Sequence, residues 1–195
     1  MSTAFVLGNG TSRSAIKPEH LQPYGKIYGC NALYREFAPD VLVATDRPIA
    51  TAIQESGYAL QNRFYTRKPI DKLGALRVPA DYYGYSSGPI AVSLAALDNN
   101  AVIYMLGFDM GPTANNTINN LYAGTEFYKP VTALPTFTGN WIKQISQIVK
   151  DFPKTEFVRV CGNTTANIED LKKFKNLNHI PMDKFLHRIN NKISL

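Results

Sequence analysis

SSGPIAVSLAALDNNAVIYMLGFD, residues Ser86 to Asp109, carries a helix pattern that runs directly into a strand pattern. In its first half Ser87 or Gly88 can cap a helix, Pro89 fits a first helical position, and Ile90, Leu94 and Leu97 recur on one stripe. Its second half, Ala101 to Asp109, is strongly apolar and ends in Gly107 and Asp109, as a buried strand does when it stops at a polar turn. A helix feeding a short apolar strand is the repeating unit of a mainly parallel sheet.

Working outward, the same alternation continues on both sides. AFVLG (Ala4 to Gly8), KIYGCN (Lys26 to Asn31) and DVLVATD (Asp40 to Asp46) read as three strands, and TAIQESGYAL as a helix interrupted near Gly57. NRFYT and ALRVP supply further extended pieces. Downstream, Trp141, Ile145, Ile148, Val149 and Phe152 follow helical spacing, FVRVC (Phe157 to Cys161) closes the sheet as its last strand, and the turn GNTTAN leads to a short helix, IEDLKKF. Between them Met110 to Pro135 is a long segment rich in Asn, Thr and Tyr. A loop of that length in a compact domain is typically functional, and Gly111 to Pro135 is expected to act as a lid.

A chain of 195 residues with 45% hydrophobic and 18% charged composition accommodates one α/β domain spanning 1–195 and leaves no room for a second. The formal charge is +6, and Lys172, Lys173, Lys175, Lys184, His187, Arg188 and Lys192 crowd the C-terminal end. From about residue 172 the chain reads as a basic tail, either a solvated face or a patch for an acidic surface. Cys30 and Cys161 are the only cysteines and no zinc-type spacing occurs, so neither a disulfide framework nor a structural metal site is expected. With no basic leader before an apolar core and no run of about 18 apolar residues, the expectation is a chain without a membrane span, in the cytoplasm. His20, His179 and His187 are read as surface residues.

Ligands of open α/β sheets bind beyond the carboxyl ends of the strands, where the strand order reverses. Those ends carry Gly8, Asn9, Gly10, Thr11 and Ser12 after the first strand, Asn31 after the second, and Asp46 after the third. Ser86, Ser87 and Gly88 open the strong helix, and Asp109 follows its strand. The glycine pair lets the backbone turn tightly and approach a ligand, with the next amides facing a phosphate or sugar oxygen. Arg13 stands where a dinucleotide fingerprint needs its third glycine, Asn31 where it needs an acid, and no GKS or GKT follows. These departures exclude NAD and P-loop readings and leave a mononucleotide pocket, or a plain turn. Asp46 and Asp109 are candidate general bases, or caps of the loops they begin.

In order, VLGNGTS, IYGCNALY, the acid-ended third strand, and YSSGPIAVSLAAL followed by VIYMLGFD resemble the compact Rossmann-like bacterial sialyltransferases. They also resemble a related family that includes a hydroxymethylpterin diphosphokinase. The resemblance implies a single Rossmann-like domain with helices on both faces of the sheet. It further implies that Asn9, Gly10 and Asn31 hold the ribose and phosphate side of a cytidine nucleotide, that Ser86, Ser87 and Gly88 meet the base, and that no metal takes part. Such enzymes bind the donor phosphate with tyrosines after the Gly-x-Asp strand and use a histidine before the next helix as base. Here Met110 and Gly111 follow Asp109, and ALPTFTGNW holds no histidine. Tyr122 and Tyr128 are the tyrosines left for the phosphate.

The leading expectation is therefore a metal-independent, nucleotide- or nucleotide-sugar-dependent transferase of the glycosyltransferase type. It needs no cofactor beyond its donor, and Asp46 or Asp109 acts on an acceptor of unknown identity. The alternatives are a diphosphokinase-like enzyme using ATP and Mg²⁺, with Asp46 and Asp109 as metal ligands, and a non-catalytic nucleotide-binding or structural protein of the same fold.

Overall fold

The computed structural model describes residues 1–191. Eight strands form one sheet in the order β5-β4-β3-β2-β1-β6-β7-β8, every neighbouring pair parallel. In chain order they are β1 (Thr3–Leu7), β2 (Lys26–Cys30), β3 (Val41–Val43), β4 (Phe64–Thr66), β5 (Leu76–Arg77), β6 (Val102–Leu106), β7 (Glu156–Cys161) and β8 (Leu177–Pro181). The helices are α1 (Arg47–Glu55), α2 (Ser87–Leu97), α3 (Gly139–Asp151), α4 (Glu169–Lys172) and α5 (Met182–Asn191). The fold is a single Rossmann-like α/β domain.

Strand residues alternate between the two faces, so each strand feeds two cores. Ala4, Val6, Tyr28, Ile103, Met105 and Phe157 face a core with Ile90 of α2, Ile145 of α3 and Leu171 of α4. Phe5, Leu7, Ile27, Leu42, Tyr104 and Val158 face the other, with Ile49 and Ile53 of α1 and Phe185 and Ile189 of α5. Both faces are covered, which is why the central strands read as unbroken apolar runs. Helix α2 departs from the striped reading: Ala91, Val92, Ala95 and Ala96 are buried alongside Ile90 and Leu94, while Leu97 is exposed. It lies between the sheet and α3, so small residues occupy every side that a surface helix would leave polar. Among the described residues no helix is long and apolar enough to cross a membrane.

The carboxyl-terminal segment corrects the sequence reading. FVRVC is not the last strand, because β8 pairs with it in register from Phe157↔Leu177 to Cys161↔Pro181. The stretch from about 172 is therefore no free tail: it supplies an edge strand and a helix whose Phe185 is fully buried. Its lysines masked this, since an edge strand with a solvated face buries only Leu177 and Ile180 deeply. Lys192 lies outside the described residues. His20 and His187 are exposed as expected, but His179 sits half-buried on β8.

The strand order reverses between β1 and β6, and β1 is followed by three short 3-10 turns instead of a crossover helix. Pro18 and Pro23, which lack the amide needed to continue a helix, fall in two of those turns. The loop after β1 is thereby left beside the loop after β6.

Candidate functional site

The two loops at the reversal touch backbone to backbone. The Gly8 amide donates to Leu106 O at 2.8 Å and the Gly10 amide to Gly107 O at 2.9 Å. A Cβ on Gly8 would stand 2.7 Å from Gly107 O, and one on Gly10 would overlap the Asp109 carboxylate. Gly107 itself has φ 73°, a left-handed conformation that glycine adopts without strain. These glycines admit one chain segment to another, so their presence is explained without a phosphate. Arg13, buried, locks the arrangement by donating from Nε to Gly8 O and from Nη2 to Asn9 Oδ1 at 3.1 Å. Asn9 in turn donates to Cys30 O at 3.3 Å and accepts the Leu121 amide on its carbonyl. Its side chain, expected on the ribose, instead braces β1 against β2.

Asp109 is equally occupied by the protein itself. Its carboxylate accepts from the Ser12 amide and hydroxyl, from Asn119 Nδ2 at 3.1 Å, and from the hydroxyls of Thr164 at 2.8 Å and Thr165 at 3.1 Å. Both oxygens are engaged and the residue is only 3% exposed, so it ties together the loops after β1, β6 and β7. Beneath it Arg159, on β7, donates to the carbonyls of Phe108, Ala166 and Asp109. Burial opposes its charge and lowers its pKa. The Thr11 amide and hydroxyl both donate to Asn119 Oδ1 at 2.8 Å. Thr11 and Ser12 thus hold the fold of the loop, and neither lines the neighbouring cleft.

That cleft, of about 420 Å³, opens along the carboxyl ends of the strands and is within the size range of small-ligand sites. Gly8, Asn9, Gly10, Asn31, Asp46, Ser86, Ser87 and Gly88 line it, with Asp109 and Tyr128 also reaching it. Asn31 has φ 54°, and its Oδ1 is buried without any hydrogen-bond partner. A buried acceptor left unpaired costs about 1–3 kcal/mol unless something completes it. The end of β3 is stitched to α2: the Thr45 amide donates to Ser87 Oγ at 3.0 Å. Ser86 accepts the Trp141 indole N–H at 3.1 Å and donates its amide to Gln144 at 2.8 Å. Ser87 and Gly88 line the cleft at the positive end of α2.

Asp46 precedes α1, is exposed, and makes no side-chain cap bond, so among the cleft carboxylates it is the one left unengaged. Cys30 lies in the wall, where burial pushes its thiol up to about 12 and leaves it a poor nucleophile. The segment from Met110 to Pro135 holds no regular element, yet it is pinned by Ile118 N to Ala133 O, Leu121 N to Asn9 O and Gly124 N to Lys129 O. It forms a cleft wall through Ile118, Asn119, Asn120 and Tyr128. Tyr128 accepts the Ala32 amide at 3.2 Å, and burial raises the pKa of its phenol. Tyr122 packs against it at 5.9 Å but is buried outside the cleft lining.

Sequence reasoning missed Arg67, Asn119, Thr164, Thr165 and the aromatic walls Phe108 and Trp141. Arg67 directly follows β4, and Thr164 and Thr165 follow β7, so the rule that found Asn31 and Asp46 would have found them. The irregular aromatics around β4 and the neutral look of GNTTAN hid the signal. Among the described residues no three His, Cys, Asp or Glu side chains gather as a metal-holding group. Compared with known proteins, the chain is matched by no family model, and neither a curated protein nor a solved structure is significantly similar to it.

Proposed function

We propose that this protein is a nucleotide- or nucleotide-sugar-dependent transferase of the glycosyltransferase type that works without a metal ion. The observation carrying the reading is Asn31: a left-handed asparagine whose buried Oδ1 has no partner, set at a strand end beside the reversal of strand order and facing a cleft. Oδ1 points away from solvent, and turning the amide about χ2 brings it to the cleft that Asn31 lines, where a ligand hydroxyl, such as a ribose hydroxyl, supplies the missing donor. The amides of Ser87 and Gly88, at the positive end of α2, meet an electron-rich base edge or oxygen, and Trp141 and Phe108 give the flat apolar surfaces that a base prefers.

The transfer step then falls to Asp46. Its carboxylate takes the proton of the acceptor hydroxyl as the acceptor oxygen bonds to the transferred carbon, and the nucleotide phosphate departs with the electrons of the broken bond. Asp109 holds the loops in place and takes no part in proton transfer. Its five donors also remove it as a metal ligand for the Mg²⁺-ATP reading, which would have to rest on Asp46 alone.

The test is thermal unfolding with CMP, UDP, GDP, ATP and the corresponding sugar nucleotides, each with and without Mg²⁺. Metal-independent stabilisation by a nucleotide or its sugar form is expected, and about 2.7 kcal/mol accrues at a hundredfold excess over Kd. Asn31→Gly is the informative variant: glycine keeps φ 54° without strain, whereas alanine would add backbone strain to the loss of Oδ1. The stabilisation should shrink in that variant. If no nucleotide stabilises the wild type, the reading is lost, and stabilisation by ATP that requires Mg²⁺ would replace it with the kinase reading. Stabilisation with no turnover of any sugar nucleotide would leave a binding protein.

A further inference from the structure

Arg13, Arg63, Arg67 and Arg159 are held by the chain in different ways. Arg13 and Arg159 are buried and bound to carbonyl and amide oxygens, and Arg63 is paired with Asp98 at 2.8 Å. Arg67 differs. It follows β4, lines the cleft, and donates from Nε to Tyr83 O at 2.8 Å and from Nη2 to Tyr85 O at 2.7 Å. Nη1 donates to no atom of the chain among the described residues, and no carboxylate stands within 4.0 Å of the guanidinium among them.

Two fixed carbonyls hold the guanidinium still at low entropic cost to a ligand, and leave Nη1 free among the described residues on a side chain that lines the cleft. A half-buried cation in a concave site is completed by an anion, and guanidinium matches the paired oxygens of phosphate or carboxylate. In sheet order β4 lies three strands from β1, about 14 Å at a spacing of about 4.8 Å. Asn31 follows β2, one strand nearer, so the charge sits toward the β4 end of the cleft, on the Ser86 side of it.

We propose that Arg67 forms an anion subsite at the β4 end of the cleft, receiving a phosphate or carboxylate group of the molecule bound there. The proposal deepens the transferase reading and rests on it only in placing a small ligand in the cleft. Arg67 then selects among ligands by charge, and the carbonyls of Tyr83 and Tyr85 set its direction.

The single tryptophan, Trp141, lines the same cleft, so its indole N–H and the Arg67 Nε–H are two NMR reporters of one site. Wild type, Arg67→Gln and Arg67→Lys are titrated with cytidine, CMP, inorganic pyrophosphate and N-acetylneuraminate. At least one of the three anions should move the Arg67 signal, bind about tenfold more weakly to Arg67→Gln, and bind with intermediate strength to Arg67→Lys. Cytidine, which is neutral, should bind both forms alike. A response to CMP or pyrophosphate identifies a phosphate site, and one to N-acetylneuraminate alone a carboxylate site. If no anion moves the Arg67 signal, or if cytidine and CMP weaken equally in Arg67→Gln, the subsite does not exist and Arg67 only braces the loop. If pyrophosphate binds at Arg67 while neither cytidine nor CMP binds, and no nucleotide stabilises the protein in the thermal test, the nucleotide reading fails and the subsite stands.

Discussion

Ser12 and Asp109, 97 positions apart, are joined twice, by the Ser12 amide and by its hydroxyl, both donating to one carboxylate. The pair fastens the loop after β1 to the loop after β6 at the point where the strand order reverses. Such a point must bring together segments distant in sequence, and here a single buried acid does so by accepting from four side chains and one amide.

Asp109→Asn should therefore behave as a stability variant. An amide offers one acceptor oxygen and turns a donor toward the donors of Ser12, Asn119, Thr164 and Thr165. A loss of about 3 kcal/mol is expected from the urea unfolding midpoint, as donors are left buried and unpaired. An unchanged midpoint together with lost turnover would instead return Asp109 to the reaction.

Gly10 gives a second measurable contrast. Alanine there meets the Asp109 carboxylate and Gly107 O at 2.6 Å, and should cost about 1–3 kcal/mol through overpacking. At Gly84, where nothing stands within 4 Å of a new Cβ and φ is not left-handed, alanine should be neutral or stabilising by some tenths of a kcal/mol. Equal midpoints for the two alanine variants would mean that the loops separate easily, and the glycines would again need a ligand to explain them.

How much of this was legible depended on whether the cause was local. Strand ends are: apolar runs such as AFVLG and AVIYMLGFD stop at polar residues, and that rule alone places Asn31, Asp46 and Asp109 at one edge. What each polar residue does there is not local. Asn9 and Asn31 are the same residue type at equivalent ends, yet Arg13 and Cys30 O consume the first and nothing meets Oδ1 of the second. Likewise Tyr122 and Tyr128 are indistinguishable in sequence, and only packing puts one in the wall and the other behind it. The C-terminal segment misleads for a third reason: edge elements bury few side chains, so lysines dominate their composition while Phe185 fixes their position.

That last point is directly measurable. Phe185→Ala should destabilise the protein by about 3–5 kcal/mol, because it empties a site packed against Phe5 and Tyr104. Replacing the neighbouring exposed Lys184 by alanine should change the midpoint by no more than about 0.5 kcal/mol. A Phe185→Ala protein as stable as wild type would make the segment the detachable tail its charge suggests.

Asp46→Asn separates catalysis from folding. The side chain is exposed and caps nothing, so stability should hold within about 1 kcal/mol, the residual being its attraction to the α1 dipole. Turnover with the nucleotide sugar found by thermal unfolding should fall by about 10²–10⁴, while the affinity for the bare nucleotide stays within about twofold. Full turnover in this variant would remove the acid from the mechanism.

His179 makes stability depend on pH in a direction that can be worked out. Its ring is half-buried on β8, with Nε2 sealed from solvent and unpartnered. Burial, then the positive charges of Arg159 across the strand pair and of Lys172 on α4, hold its pKa below the ordinary 6.5. Well above pH 6.5 the imidazole is neutral whether the chain is folded or not, and contributes no pH dependence. Below it the unfolded chain gains a proton that the folded chain resists, so stability falls with pH until the folded group also titrates, and then levels off. His20 and His187 are exposed and do not share that environment. Urea midpoints measured at about pH 7.5 and about pH 5.0 should therefore fall more for wild type than for His179→Gln. Parallel losses in the two proteins would place the acid sensitivity elsewhere.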